Sequence, residues 1–589
     1  MSNREIAKIL FEMAAFYEME GVPFKPTAYE GAALGIEGFG EEAKVIYEKE
    51  GIEGLTKIPG VGKGIADHIE RLLTRGHFKE YTQFKKKYPF DALRLVEIEG
   101  VGPKMVKMLW EKLHVHNVEE LEKAARAGKI RKLPRFGEKS EEKILEGIEF
   151  LKSSGGRRVL GFILPEIRAL EKTIQAFPEV DEALVGGSVR RMKETIGDID
   201  ILATSKKPAL VMERFLKLPE IIHVYAKGET KTLVRLTNGL DADIRVVPRK
   251  SWGAALNYFT GSKEHNIALR EIAIKKGWKL NEYGLFQSMS ASSQRESAGR
   301  MIAGRTEEEL YEKLGLRYIE PEMRENRGEI EAARKNRLPK LIGYHDLKGD
   351  LQVQTDWTDG KNSIEDMAEA AIQAGLEYIA ITDHTKSLAM TGGADEKKLL
   401  RQMKEVDRLN SKFHSRSSRG PNSKFRLLKG AEVNIMKDGT LDIKDKVLEK
   451  LDVVGAAVHS HFSLSRREQT KRIISAMENP NADIIFHLTT RVINKRGPIE
   501  LDMDEIIKAA KRTGTVLEID AYPDRLDIKD EYVRMCVEAG VKMAIDSDAH
   551  AVAHFKYLEM GIGQARRGWA TQNDIINTRS VNGMLKLLK

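Results

Sequence analysis

The chain has 589 residues, 41% of them hydrophobic and 32% charged, and a formal net charge of +8. This composition excludes a disordered or collagen-like chain, and roughly 150 residues per domain predicts about four domains. No apolar run approaches the ~20 residues of a membrane span, and the lone Cys536 excludes a disulfide framework and a thiolate zinc site. We therefore expect a cytoplasmic monomer with no membrane partner, whose modest charge permits nucleic-acid binding without demonstrating it.

The first part of the chain predicts helices that are interrupted by two similar glycine-rich turns. Residues 57–64 are Lys-Ile-Pro-Gly-Val-Gly-Lys-Gly, and residues 97–104 are Glu-Ile-Glu-Gly-Val-Gly-Pro-Lys. We interpret them as helix-hairpin-helix units of two DNA-binding regions, 1–85 and 86–155, because backbone N–H groups in such turns can hold phosphate without reading bases. The candidate DNA-binding residues are Gly60, Gly62 and Lys63, and Gly100, Gly102 and Lys104. The alternative is that the turns only connect helices.

Short apolar runs over residues 156–250 predict the strands of an α+β domain. One of these runs carries Asp198 and Asp200, which share one face of a strand because side chains two residues apart point the same way. Adjacent carboxylates repel unless cations hold them, and this pair suits two Mg²⁺ ions about 3.5–4 Å apart. A third carboxylate should come from a neighbouring strand, where Asp241 and Asp243 are both candidates. The alternative is a surface strand with alternating acids, which the upstream Gly-Gly-Ser at 186–188 disfavours.

Alternating strand-like and helical runs over residues 340–589 predict a distorted α/β barrel. The charged stretch before it, 321–339, is expected to be a linker. Five of the 14 histidines follow strand-like runs, namely His384, His459, His461, His487 and His550. With Glu432 and Asp548 they suit Mn²⁺ or Zn²⁺ at the carboxyl ends of barrel strands. A lone histidine in such a place is more often a packed residue.

A further segment narrows the class of protein. Residues 258–266 are Tyr-Phe-Thr-Gly-Ser-Lys-Glu-His-Asn. Together with the two turns, Gly-Gly-Ser and the paired aspartates, this segment resembles the nucleotide-selecting segment of family X DNA polymerases, the polymerase beta type. The resemblance covers about residues 1–320. It implies a multidomain fold with a nucleotidyltransferase palm over 156–250 and a thumb-like subdomain over 251–320, acting on dNTPs and on gapped or primer-template DNA.

The resemblance also implies roles for individual residues. The catalytic carboxylates that hold two Mg²⁺ ions are Asp198, Asp200 and, rather than Asp241, Asp243. The residues around the nucleotide and template are Gly187, Ser188, Arg191, Tyr258, Phe259, Gly261, Asn266 and Arg270. His68 stands where the family has its lyase lysine. A Schiff base needs a primary amine, so deoxyribose-phosphate lyase activity is not expected, and Lys63 is only a displaced substitute.

The C-terminal half, about residues 340–575, resembles the polymerase-and-histidinol-phosphatase (PHP) domain of bacterial and archaeal family X polymerases. The matching metal ligands are Asp359, His384, Glu432, His459, His487, Asp548 and His550. The family's opening motif, Asp-Leu-His-x-His-Thr, is Asp-Leu-Gln-Val-Gln-Thr here, so Gln352 and Gln354 replace two histidine ligands. The resemblance implies a Mn²⁺-dependent 3′→5′ exonuclease or abasic-site activity, which this replacement weakens because a glutamine carbonyl is a poor substitute for imidazole. The alternative is an inactive barrel that stabilises the chain or positions DNA.

These observations favour a DNA repair polymerase that fills gaps. Three other functions remain open: a nuclease whose polymerase half only delivers DNA, a non-catalytic DNA-binding scaffold, and a template-independent nucleotidyltransferase. The damaged histidine motif argues against the first and the complete aspartate motif against the second. The two turns and the Tyr-Phe-Thr-Gly segment argue against the third.

Overall fold

A computed structural model describes residues 1, 3–37, 39, 42–90, 92–96, 98, 101–134, 136–153, 157–287, 300–416 and 425–589. It confirms the predicted fold class: an N-terminal helical region, an α+β palm with a thumb, and a C-terminal α/β barrel. Within these ranges, no helix combines the length and the apolarity needed to cross a membrane.

The N-terminal region is helical because its apolar residues recur at helical spacing and close on one core that includes Leu10, Phe16, Ile69 and Leu109. Its helices are α1 (Asn3–Met19), α2 (Lys25–Glu37), α3 (Ala43–Leu55), α4 (Lys63–Arg75), α5 (Lys79–Lys87), α6 (Ala92–Val96), α7 (Pro103–Leu113), α8 (Val118–Arg126) and α9 (Glu138–Ser153). The two predicted glycine turns lie immediately before α4 and α7.

The palm is a mixed sheet covered by helices. Its elements are β1 (Arg158–Val159), α10 (Leu160–Gln175), β2 (Glu182–Val185), α11 (Gly187–Arg190), β3 (Thr195–Ile196), β4 (Asp198–Thr204), α12 (Pro208–Phe215), β5 (Ile221–Lys227), β6 (Lys231–Leu236) and β7 (Asp241–Val247). The main sheet has the order β2-β4-β7-β6-β5, and β4 and β7 run parallel at its centre. This order brings the two predicted aspartate strands side by side.

The thumb and the segment after it pack into a further core. Their elements are α13 (Trp252–Thr260), α14 (Lys263–Lys275), β8 (Trp278–Asn281), β9 (Gly284–Gln287), β10 (Arg300–Ala303), α15 (Glu307–Leu314) and α16 (Glu329–Arg334). The segment 321–339, expected to be a linker, is largely packed against its neighbours: Arg324 is fully buried and ion-paired with Glu307, and Glu329 is buried against His265. Charge alone indicated exposure, whereas partners elsewhere in the fold neutralise these groups.

The C-terminal barrel is built from parallel strands in the order β11 to β17. Its elements are β11 (Gly349–Val353), α17 (Ile364–Gln373), β12 (Tyr378–Ile381), α18 (Glu396–Arg416), β13 (Arg426–Asn434), α19 (Asp445–Leu448), β14 (Val453–Ala457), α20 (Arg466–Met477), β15 (Ile484–Ile485), α21 (Met503–Thr513), β16 (Val516–Asp520), α22 (Asp530–Ala539), β17 (Met543–Asp546), α23 (Leu558–Arg567) and α24 (Val581–Leu585). A bridge between Val353 and Ala549 nearly closes the ring. The carboxyl ends of the strands therefore meet at one mouth.

Candidate functional site

The paired aspartates of the palm lie at the sheet centre. In the register of β4 and β7, Asp198 is opposite Asp241 and Asp200 is opposite Asp243. The alternate side chains, including Ile199, are buried on the other face, which is what turns the aspartates together. Burial and the neighbouring carboxylates of Asp198 and Asp243 raise the pKa of Asp200 to about 6. A cation beside Asp200 would relieve this repulsion.

The two candidates for the third carboxylate differ in their surroundings. Asp241 is held in an ion pair by Arg235. Asp243 lies 3.2 Å from Lys231 Nζ and 3.4 Å from Arg245 Nη2 through its Oδ2 atom, while its buried Oδ1 atom has no hydrogen-bond partner among the described residues. A buried carboxylate oxygen without a partner is costly, and a divalent cation would satisfy it. The geometry therefore favours Asp243 over Asp241.

The Gly-Gly-Ser segment forms the turn next to these aspartates. Gly186 N–H donates to Asp200 O at 2.8 Å, which ties the turn to β4. Gly187 has φ 58°, and a Cβ atom there would lie 2.3 Å from Asp200 Oδ2. Glycine is required because a side chain would displace the carboxylate. Ser188 follows in the short helix α11.

A cavity of about 400 Å³ opens beside the turn and the aspartates. It brings together two of the predicted catalytic carboxylates, Asp198 and Asp200, and all eight residues predicted around the nucleotide and template: Gly187, Ser188, Arg191, Tyr258, Phe259, Gly261, Asn266 and Arg270. Asp243 is not in its lining and lies beside Asp200 on the neighbouring strand β7. The cavity has the open, polar character expected for a charged substrate.

Contacts within the thumb orient the wall of this cavity. Asn266 Nδ2 donates to Tyr258 O at 2.7 Å, and Arg270 Nε donates to Asn266 O at 3.2 Å. Phe259 lies under the Arg245 guanidinium at 4.5 Å, while Tyr258 remains 38% exposed at the cavity. The aromatic pair can thus present one face to a sugar and base.

The described parts of the two hairpin turns share the same backbone contacts. Val61 N–H donates to Ile58 O and Val101 N–H to Ile98 O, both at 3.0 Å. Gly62 (φ −78°, ψ 167°) and Gly102 (φ −86°, ψ 168°) then begin α4 and α7 without a side-chain cap. The predicted DNA-binding residues Gly60, Gly62, Lys63, Gly102 and Lys104 are exposed, whereas Gly100 lies outside the described residues. Each turn offers uncapped N–H groups and a lysine to a phosphate.

His68 is packed rather than poised for covalent chemistry. Its Nδ1 atom lies 2.7 Å from Tyr29 Oη, and its ring stacks on Phe78 with a centroid distance of 4.2 Å. Burial lowers the pKa of His68, which favours the neutral ring. This environment is that of a structural histidine.

We expect no lyase intermediate at this position, because imidazole cannot form a Schiff base. Treatment with borohydride in the presence of DNA bearing a 5′-deoxyribose phosphate should trap no covalent protein–DNA adduct on a denaturing gel. An adduct that disappears in the Lys63→Ala variant would show instead that the displaced lysine has taken over the reaction.

The mouth of the barrel gathers the predicted metal ligands around Glu432. Glu432 Oε1 lies 2.9 Å from His487 Nε2 and 3.0 Å from His459 Nε2, and its Oε2 lies 3.5 Å from His384 Nδ1. On the outer side, Asp359 Oδ2 lies 3.7 Å from both His384 Nε2 and His550 Nε2. Asp359, His384 and His550 form one group with the spacing of metal ligands, and His384, Glu432 and His459 form another.

The donor set at His459 favours a cation. Asn434 Nδ2 donates to Asp442 at 3.0 Å, so Asn434 Oδ1 accepts the Nδ1 proton of His459 at 2.8 Å. With its Nδ1 atom bonded to Asn434, His459 turns its Nε2 atom towards Glu432 Oε1 at 3.0 Å. Two electron-rich atoms at this distance need a proton or a metal ion between them. The residues on this side of the mouth therefore fit a divalent metal.

The two glutamines fill the opposite side of Glu432. Gln354 Nε2 donates to Glu432 Oε2 at 2.7 Å and Gln352 Nε2 donates to the same oxygen at 3.1 Å. Their own Oε1 atoms are buried without a hydrogen-bond partner among the described residues. Neutral amides thus satisfy the carboxylate oxygen that a cation would otherwise neutralise. The part of the cluster in which glutamines stand in place of histidines therefore does not fit a metal.

Two residues at the mouth were missed by the sequence analysis. Arg525 Nε lies 3.5 Å from Asp548 Oδ2 and 3.5 Å from Asp520 Oδ2, and so partly neutralises a predicted metal ligand. No periodicity marked Arg525, because it lies in the loop after β16. Asn434 could have been found, since it lies two residues after Glu432 on the same face of β13.

Comparison with known proteins identifies the class. Family models match residues 1–78 (helix-hairpin-helix domain), 92–149 (SAM-like helix-hairpin-helix tandem), 255–325 (DNA polymerase beta thumb) and 350–558 (PHP domain). The chain is 34% identical over 592 residues to the DNA polymerase/3′-5′ exonuclease PolX of Bacillus subtilis (strain 168), covering 100% of both chains. It is 26% identical over 351 residues to DNA polymerase lambda of Arabidopsis thaliana, covering 55% of this chain and 62% of that one. A probable phosphatase of Thermoanaerobacter sp. (strain X514) is 29% identical over 227 residues, 37% of this chain and 84% of that one.

Fold and site together define a nucleotidyltransferase-type polymerase joined to a PHP barrel. The chain belongs to the family X DNA polymerases that carry a C-terminal PHP domain. The resemblance inferred from the sequence is thereby confirmed.

Proposed function

We propose that this chain fills gaps in DNA during repair by transferring dNMP from a dNTP to a primer 3′-hydroxyl. The observation that carries the proposal is the cross-strand pair of Asp200 and Asp243 beside a cavity lined by Gly187, Arg191 and Tyr258. In the reaction the primer 3′-oxygen loses its proton and bonds to the α-phosphorus of the dNTP. The bond to the β-phosphate breaks, and pyrophosphate leaves.

For the palm we propose two Mg²⁺ ions, and the facing carboxylates on β4 and β7 support this proposal. When bound, these ions would neutralise triphosphate charge and make the primer hydroxyl more acidic. Asp198 and Asp200 would hold both ions, and Asp243 would hold the one nearest the primer. Arg191 and the turn at Gly187 and Ser188 would hold the triphosphate.

Other residues would select and orient the substrates. Tyr258 and Phe259 would contact the sugar and exclude a 2′-hydroxyl, Asn266 would lie near the incoming base and Arg270 near the template. The two hairpins would hold DNA backbone phosphates without reading sequence, so DNA binding should weaken steeply with salt.

For the barrel we propose a weakened, Mn²⁺-dependent 3′-end hydrolysis. Asp359, His384 and His550, with His459 and Glu432, would hold the remaining metal, Zn²⁺ being the other candidate. His487 contributes less because its Nδ1 atom has no hydrogen-bond partner among the described residues, so its Nε2 atom can carry the proton and donate it to Glu432. Asp548 contributes less because it lies beside Arg525. The related B. subtilis protein is named as a 3′-5′ exonuclease, and the glutamine amides on Glu432 are the observation that favours a weaker activity here.

One gel tests the polymerase proposal against its rivals. A labelled primer on gapped DNA is incubated with Mg²⁺ or Mn²⁺, with and without dNTPs, beside the same primer without a template. We expect template-dependent extension with dNTPs and little shortening without them. Equal extension without template would indicate a template-independent transferase, and shortening without any extension would indicate a nuclease.

A further inference from the structure

The palm loop that carries the nucleotide-site arginine packs against the PHP barrel. Residues 191–194 lie between α11 and β3 and face helix α23. The approach is close: a Cβ atom on Gly563 would lie 2.9 Å from Met192 Cβ. Residues 191–194, called here the docking strip, are thus in direct contact with the barrel.

The far end of the docking strip is fixed by ion pairs. Arg491, in the loop after β15, holds Glu194 through two bonds of 2.7 and 3.1 Å. Gln564 on α23 donates to the same carboxylate at 3.3 Å. Arg491 is almost fully buried, so this contact is part of a packed interface and not a loose surface pair.

The near end of the docking strip is fixed by Arg567, the last residue of α23. Its Nη1 donates to Arg191 O at 3.0 Å and to Glu325 Oε1 at 2.9 Å, and its Nη2 donates to Asp530 Oδ2 at 2.6 Å. Its side chain is 2% exposed. A buried guanidinium of the barrel domain therefore reaches the residue that lines the nucleotide cavity.

The Glu325 carboxylate transmits this contact to the Arg191 side chain. Arg191 Nε donates to Glu325 Oε1 at 3.1 Å, the same oxygen that Arg567 binds, and Arg191 Nη1 donates to Thr260 O. Burial alone would raise the pKa of Glu325, but Arg567, Lys193 and Arg191 hold it below its usual value. Glu325 is thus a carboxylate shared between an arginine of the palm and an arginine of the barrel.

The local charges make this sharing sensitive to Arg567. Arg191, Lys193 and Arg567 face Glu325, while Asp530 is shared by Arg567 and Arg327. Without Arg567, Glu325 loses its strongest fixed partner and is free to turn towards Lys193, whose Nζ now lies 3.8 Å away. Arg191 would then lose the hydrogen bond to its main-chain oxygen, and the carboxylate that its Nε binds would no longer be fixed from the barrel side.

We propose that Arg567 is a positioning residue of the nucleotide site, so that the PHP barrel holds Arg191 in the orientation that receives the dNTP triphosphate. The inference rests on the nucleotidyl transfer proposed above. It assigns the barrel a role in synthesis that does not depend on hydrolysis or on any metal at its mouth.

The test measures dNTP affinity in the full-length chain. The protein is bound to gapped DNA whose primer ends in a dideoxynucleotide, and the dissociation constant of the correct dNTP is measured with Mg²⁺. We expect Arg567→Met to weaken dNTP binding about tenfold, Arg567→Lys to weaken it less, and the affinity for DNA itself to stay within about twofold. With an extendable primer, KM for dNTP should rise more than kcat falls.

Two further variants separate positioning from a general loss of the interface. Glu325→Gln should reproduce the loss of dNTP affinity, and adding it to Arg567→Met should cause little further loss, because both act through one contact. Arg168→Met breaks the ion pair between Arg168 on α10 and Glu559 on α23. This pair crosses the same interface but lies away from the docking strip. The variant should leave dNTP affinity unchanged.

The outcomes distinguish failure of the positioning role from failure of the proposed nucleotidyl transfer. Normal dNTP affinity in both Arg567 variants, or an equal loss in Arg168→Met, would overturn the positioning role while the polymerase proposal stands. If the parent chain itself bound no dNTP on the terminated primer, the proposed nucleotidyl transfer would fall, and the positioning role with it.

Discussion

Replacement of Asp243 by asparagine is expected to lower the rate of nucleotide incorporation by about a thousandfold or more. The amide keeps the volume of the side chain but removes the negative charge that would hold the metal nearest the primer. Charge stabilisation by such a metal is worth several kcal/mol, and each ~1.36 kcal/mol is a factor of ten in rate. Single-turnover primer extension on gapped DNA measures the loss, and DNA affinity should stay within about twofold because the hairpins are untouched.

The chain supplies a matched control two residues away. Asp241→Asn makes the same chemical change on the same face of β7, but it breaks only the partly exposed ion pair with Arg235. Such pairs are worth ~0–1 kcal/mol, so extension should change by less than about fivefold. A normal rate for Asp243→Asn, or a larger loss for Asp241→Asn, would mean that the third carboxylate has been assigned to the wrong residue.

The second large effect is a gain of metal binding and of DNA hydrolysis at the mouth of the barrel. Changing Gln352 and Gln354 together to histidine should remove the amide donors from Glu432 and supply two imidazole ligands at the end of β11. We expect about one more Mn²⁺ per chain by elemental analysis after loading and dialysis. We also expect about tenfold faster shortening of a primer without dNTPs. Primer extension with dNTPs should be unchanged, which shows that the variant is folded.

Adding a histidine elsewhere controls for non-specific binding. Gln373→His places an imidazole on the exposed face of α17, where it should alter neither metal content nor cleavage. If the parent chain already retains as much Mn²⁺ and cuts as fast as the double variant, then the glutamines do not weaken the cluster. Their hydrogen bonds to Glu432 would then reduce neither metal binding nor hydrolysis.

The carboxylates and most strands were predictable because their signals are local. Alternation with period two placed Asp198 and Asp200 on one face, and the short apolar runs over residues 156–250 predicted strands that the structure contains. The choice between Asp241 and Asp243 was not available to that argument, because both lie on the correct face. It depends on which residue Arg235 neutralises, and that is decided by the register of β6 against β7.

The contacts that join the palm to the barrel left no such signal. Arg191 and Arg567 are hundreds of residues apart, and neither is marked by periodicity. The stretch around Arg324 and Glu325 favoured a linker by its charge, but its charged groups are buried against partners that only the folded chain provides. Composition records how many charges a segment has and not whether they are paired.

The amides of Gln352 and Gln354 also bear on how the protein matures. Because these two side-chain amides already satisfy one oxygen of Glu432, this part of the barrel can fold without binding an ion there. The docking strip packs against that barrel, so the barrel can position the nucleotide site of the palm as soon as both domains have folded. Under the proposed assignments, withdrawal of the barrel's divalent ion would abolish its hydrolysis and leave its support of the palm in place.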